Sequence, residues 1–136
     1  MKKILSVIAV LLVVAGIVWA GLSLSAWRAG LRTARFNDDV ENLFIGLQKY
    51  KEHVGNYPTG SNAEVAKALM GHNAKNVIVI VGRNASVNEK GEFVDPWGAA
   101  LRIYFSDNGV LVRSAGPNRR FDDSTVVGCD DIFRSN

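Results

Sequence analysis

From Ile4 to Leu24 the chain reads ILSVIAVLLVVAGIVWAGLSL, without one charged residue. No other feature constrains the fold so tightly. As an α-helix this run would be about 31 Å long, enough to cross the hydrocarbon core of a bilayer. Trp19 and Trp27 stand near its outer end, where amphipathic rings favour the membrane interface. Two fates compete for such a segment. It can stay as a membrane helix, or it can be a signal peptide cleaved among the small residues around Ala20, Ser23 and Ser25. The apolar core of a signal peptide usually has about 7–15 residues, and the greater length here favours a retained helix. Lys2 and Lys3 precede the run, and Arg28, Arg32 and Arg35 follow it, so flanking charge does not fix the orientation. If the segment acts as an export signal, the body of the protein lies outside the cytoplasm.

The remaining length bounds that body. The chain has 136 residues, room for one core and an appendage. The expected division is a membrane helix over 1–25 and a globular domain over 26–136. Net charge is only +3, from 16 Lys and Arg against 13 Asp and Glu, and no block of like charge occurs. Aromatic residues do not interleave with a basic stripe, so nucleic acid is not an expected partner. Arg28, Arg32 and Arg35 recur on one helical face, a better match to anionic head groups.

Catalytic signatures are absent from the sequence. Cys129 is the single cysteine, which excludes an intramolecular disulfide and a CxxC pair. His53 and His72 are isolated, and there is no P-loop, GxSxG or HExxH. The chain is therefore not expected to be an enzyme.

Periodicity organises the body. Phe36, Val40, Phe44, Leu47 and Val54 recur at spacings near four and three, with Leu43 and Tyr50 alongside. This is one apolar stripe on a helix. No proline interrupts the chain before Pro58, so a single long helix is expected to end at Gly55, a residue suited to the left-handed C-cap. Ser61 to Glu64, SNAE, has capping-box spacing and opens a short second helix closed by Gly71. Asn76 to Gly82, NVIVIVG, reads as a buried strand or a short buried segment. Leu101, Ile103 and Phe105, then Val110 and Val112, alternate on either side of SDNG at Ser106 to Gly109, a hairpin signal. After Gly116 the chain turns polar and acidic. The expected class is α+β, with a long helix packed on a small antiparallel sheet.

One set of motifs, in this order, resembles a known family. The chain carries Tyr50-Lys51 with Gly55-Asn56-Tyr57-Pro58-Thr59, and then Gly-Glu-x-x-Asp-Pro-Trp-Gly at Gly91 to Gly98. Ser114-Ala115-Gly116-Pro117-Asn118 and Asp130-Asp131-Ile132 follow. The set is similar to the C-terminal domain of type II secretion major pseudopilins (protein G) and their type IV pilin-like relatives, over about Arg35 to Ile132. The resemblance implies a helical spine packed on an antiparallel sheet. It also implies that Tyr57, Pro58, Asp95, Pro96, Trp97, Gly98 and Gly116 are architectural. Pro96 fixes φ, Asp95 can accept from amides ahead of it, Gly98 permits a bend, and Trp97 buries against the spine.

Major pseudopilins hold calcium in the C-terminal loop. The resemblance therefore implies a Ca2+ site built from Asn118, Asp122, Asp123, Asp130 and Asp131, with the Ser114 carbonyl as a further ligand. Calcium takes six to eight hard oxygens, which irregular loops can supply. The competing reading is a solvated acidic turn, with Arg119 and Arg120 pairing nearby charges.

The same resemblance implies a structural subunit or accessory of a type II secretion or type IV pilus-like assembly. It would be a single-pass protein of a bacterial inner membrane with its C-terminal domain outside the cytoplasm. Its partners would be the membrane and further copies or pilin-like subunits packed through the N-terminal helix. The sequence also departs from the family. No glycine precedes Ile4, no Phe-Thr-Leu-Ile-Glu follows one, and the first acidic residue is Asp38. The alternative is thus an exported or anchored binding domain with a pilin-like fold that forms no filament.

Overall fold

A computed structural model describes residues 2–80, 86–107, 109–122 and 128–136. Helix α1 covers Lys2–Val54 and α2 covers Asn62–Leu69. Strands β1 (Arg102–Ser106), β2 (Gly109–Ser114) and β3 (Ile132–Ser135) follow. They form one antiparallel sheet in the order β1-β2-β3. The class is α+β, and the order of a long N-terminal helix, a short helix and a small antiparallel sheet is a pilin-like architecture. By compactness the chain divides into two units, Met1–Ala34 and Arg35–Asn136.

Among the described side chains of the first unit, from Leu11 onward, none is buried. Leu12 is 68% exposed, Ile17 67% and Trp19 74%. Apolar residues at every angle around a helix, all of them open, need lipid or other helices as solvent.

The second unit is organised on the expected stripe. Phe36, Val40, Leu43, Phe44, Leu47 and Tyr50 are all buried, and Val54 packs at the edge of the same cluster. Against them lie Val65, Ala66 and Leu69 of α2, Phe93, Trp97 and Leu101 of the connecting segment, and Val110 and Val112 of β2. Helix α1 stops where Gly55 takes φ +108° and its N–H reaches the Lys51 carbonyl at 2.8 Å, as a left-handed cap should. Tyr57 then packs against Phe105, with tilted rings whose centroids lie 5.6 Å apart, and Pro58 is buried.

Helix α2 opens with a complete capping box. The Ser61 hydroxyl accepts from the Glu64 N–H, and the Glu64 carboxylate accepts from the Ser61 N–H at 2.7 Å. This bond to the backbone, and then the one to the Ser61 hydroxyl, hold the Glu64 carboxyl below the usual carboxylate range.

The segment from Asn76 is not a strand in its described part, Asn76 to Ile80; Val81 and Gly82 lie outside the described residues. Its backbone is satisfied elsewhere. The Val79 and Ile80 N–H groups both donate to the Leu69 carbonyl at the end of α2, at 2.9 and 3.1 Å. The Val77 N–H and carbonyl are both taken by the Asn73 side chain. A residue so paired has nothing left for a sheet ladder. The segment instead runs as a strap over α1 at Gly46, where an added Cβ would meet Ile80 Cδ1 at 2.7 Å.

The hairpin forms as expected, with Ile103 opposite Val112 and Phe105 opposite Val110; Asn108 in its turn lies outside the described residues. The third strand has no counterpart in the sequence pattern. Its register sets Ser114 opposite Ile132 and Arg113 opposite Phe133. Short isolated bridges, Val87 to Phe93 and Val94 to Ala100, tie the connecting segment together.

Two outcomes test this packing. Leu47 has no exposed surface, so Leu47→Ala should cost about 3 kcal/mol, read from urea unfolding of the purified chain. The depressed Glu64 pKa sets a sign with pH: its contribution is present above the unfolded carboxylate pKa and fades as pH falls through the lower folded value. The Tm gap between the native chain and Glu64→Ala should therefore narrow on acidification from about pH 7 to about pH 3.

Candidate functional site

The corner at Asp95 to Gly98 and the loop after Gly116 meet at one residue, Asp95. Its carboxylate is 3% exposed. Oδ1 accepts the N–H groups of Trp97 at 3.0 Å and Ala99 at 2.9 Å. Oδ2 accepts the Ser114 hydroxyl at 2.7 Å, and Ser114 Oγ in turn accepts the Gly116 N–H at 3.0 Å. A buried carboxylate is tolerable only when its lone pairs are met in this way. The turn is stapled further by the Asp95 N–H on the Ala99 carbonyl at 2.8 Å. Pro96 is half-buried, and Gly98 takes φ +91°. The turn delivers Trp97 to the core, 6% exposed, with its ring centroid 6.5 Å from that of Phe36 on α1.

Gly116 closes the relay. It sits at φ +64°, and an added Cβ would lie 2.2 Å from the Asp130 carbonyl oxygen. The loop therefore crosses its own return at this residue.

The five residues expected to bind a cation are placed as follows. Asn118 donates its N–H to Asp130 Oδ2 at 3.0 Å and its side-chain amide to Asp122 Oδ2 at 2.6 Å. The Asp131 side chain is wholly buried and paired with Arg113. The Arg113 guanidinium also donates to the Asp122 carbonyl. Desolvation opposes charge on Arg113, but the hydrogen bond and attraction of Asp131 outweigh it and raise the guanidinium pKa. Asp130 Oδ1 is buried without a hydrogen-bond partner. Asp123 lies outside the described residues. Arg119 and Arg120 are exposed, with Arg119 in the left-handed region at φ +61°.

Asp122, Cys129 and Asp131 bring ligand-type atoms within 4.8 Å of one another. The loop is thus a metal-capable cluster by proximity. Among the described residues, calcium with the expected ligands does not fit the arrangement. A guanidinium already holds the Asp131 carboxylate and the Asp122 carbonyl, Asn118 holds the Asp122 carboxylate, and the third close group is a thiol, where calcium prefers hard oxygen.

Asn62 is a structural residue that sequence pattern does not single out. Its side chain donates to the carbonyls of Phe93 at 2.9 Å and Leu101 at 2.8 Å, and accepts the Phe93 N–H at 2.7 Å. It pins α2 to the segment that carries the corner. Its only sequence signal is its place inside the capping box.

A separate cleft of about 300 Å³ lies beside α1, between Ile45, Gly46 and Lys49 and the strap residues Val79 and Ile80. Asp39 faces it with Oδ2 buried and without a hydrogen bond. Burial pushes the Asp39 carboxyl above its usual range, partly offset by Arg35 at 3.7 Å.

Compared with known proteins, the chain matches no family model, no curated protein and no solved structure. Its architecture thus rests on its own geometry.

Removing the relay tests that geometry. Asp95→Ala deletes three accepted hydrogen bonds and should cost about 3 kcal/mol or more. Gly116→Ala should cost about 2–4 kcal/mol, through the closed approach to Asp130 and its positive φ. Urea unfolding of each variant measures both.

Proposed function

We propose that this chain is a membrane-anchored, non-catalytic subunit or accessory of a type II secretion or type IV pilus-like assembly. Its C-terminal unit stands outside the cytoplasm. One observation carries the reading: α1 exposes apolar side chains on all sides from Leu11 to Leu31, with Leu12, Ile17 and Leu22 each more than half open. It is also a helix long and apolar enough to cross a membrane. Such a helix serves as an anchor and as a contact for like helices in lipid. The pilin-like order of elements supports the reading, as does the use of Asp95, the most deeply buried carboxylate of the corner, for backbone support. The chemistry seen there is hydrogen bonding to two main-chain amides and to the Ser114 hydroxyl.

A second reading has one sequence observation in its favour. From Ile4 to Asn37 the helix carries no acidic residue. In that reading the same domain is anchored or exported but forms no filament.

One experiment separates the two. Glutamates placed together at Leu11, Val14 and Val18 put charge on one face of the helix, at about 3 kcal/mol each near the bilayer centre. Assembly through this helix predicts that cross-linked multimers present in native membranes disappear with these substitutions. Multimers that persist unchanged contradict it. A native chain that stays in the membrane as a monomer supports the second reading.

A further inference from the structure

The C-terminal loop contains a fully buried carboxylate, and the chain supplies its counter-ion. We propose that the Arg113 guanidinium is the resident cation of this loop, standing where the resemblance would put calcium, so that the loop folds without a metal. The inference does not rest on the filament reading.

Three observations carry it. First, the Asp131 side chain has no exposed surface, and the Arg113 side chain that pairs with it is only 16% exposed. A buried carboxylate is strongly destabilising unless a countercharge or a full set of hydrogen bonds meets it, and at Asp131 the guanidinium supplies both charge and donors. Second, the guanidinium does more than pair one charge. It also donates to the Asp122 carbonyl across the loop. A carboxylate and a backbone carbonyl from two arms of a loop are the oxygens a hard cation would gather. A planar fork of donors gathers them by hydrogen bonding instead. Third, the guanidinium is held in position. Its carbon lies 5.3 Å from the Phe121 ring centroid and 5.1 Å from that of Phe133. Arg102, directly across the ladder from Arg113, lies 3.9 Å over the same Phe121 ring. Two like charges opposite each other on a sheet would repel. Here Asp131 neutralises one and Phe121 takes the other through its π-face.

The test uses the full chain in detergent micelles, with thermal unfolding followed in EGTA and in millimolar calcium chloride. The native chain should show the same Tm in both. Arg113→Gln should lower the Tm in EGTA by roughly 5–15 °C. Calcium should recover part of that loss, because the substitution frees the Asp131 carboxylate and the Asp122 carbonyl. A native chain whose Tm rises with calcium overturns the proposal. So does an Arg113→Gln chain as stable as the native one, or one whose loss calcium does not reduce. Should that variant fail to fold, calorimetric titration of the native chain with calcium decides the matter. No specific heat of binding supports the resident guanidinium, and binding that Asp131→Asn abolishes refutes it.

Discussion

The buried carboxylate of Asp95 is the interaction on which the second unit depends. It accepts two amides of its own turn and the hydroxyl of Ser114, and through Ser114 it reaches the Gly116 amide. Four pieces of structure meet there: the corner, the end of β2, the crossing at Gly116 and, through Trp97, the core on α1. Networks of this kind rigidify when every member is satisfied and are costly when one is not. The Asp-Pro-Trp-Gly stretch is therefore an architectural joint. Its aspartate serves main-chain donors, and its tryptophan packs against Phe36.

Legibility follows the range of the forces involved. The helical stripe from Phe36 to Tyr50, the Gly55 cap, the capping box and the hairpin are readable because period and turn chemistry are local. The run from Asn76 misleads because β-branched apolar residues fit a strand as well as a strap. What decides it is the Leu69 carbonyl and the side chain of Asn73, neither of which periodicity reveals. Strand β3 escapes a sequence reading because Ile132–Ser135 is short, mostly exposed and paired to residues far back in the chain. Asn62 escapes it for the same reason, since all its partners lie more than thirty positions away. The acidic loop is legible through its carboxylates, whereas its geometry turns on Arg113, a basic residue in a strand.

Helix α1 has to meet two different solvents along one sequence. Its buried face from Phe36 to Tyr50 is a stripe, with polar residues such as Asp38 and Glu41 on the open side. Its turns up to Leu24 have no charged side, and every described residue from Leu11 to Arg35 is exposed. A stripe suits one core packed on one side, whereas all-round apolar character suits lipid or a ring of helices. The change between these patterns along one helix is the physical content of the anchored-subunit account.

The account is tested most directly by the intact mass of the protein taken from its native membrane fraction. A mass that retains the segment from Ile4 to Leu24 is the predicted result, because the anchor and the assembly contact are then one helix. A mass beginning near Gly21 or Ala26 would contradict it, leaving a released domain without the surface on which the proposed role depends.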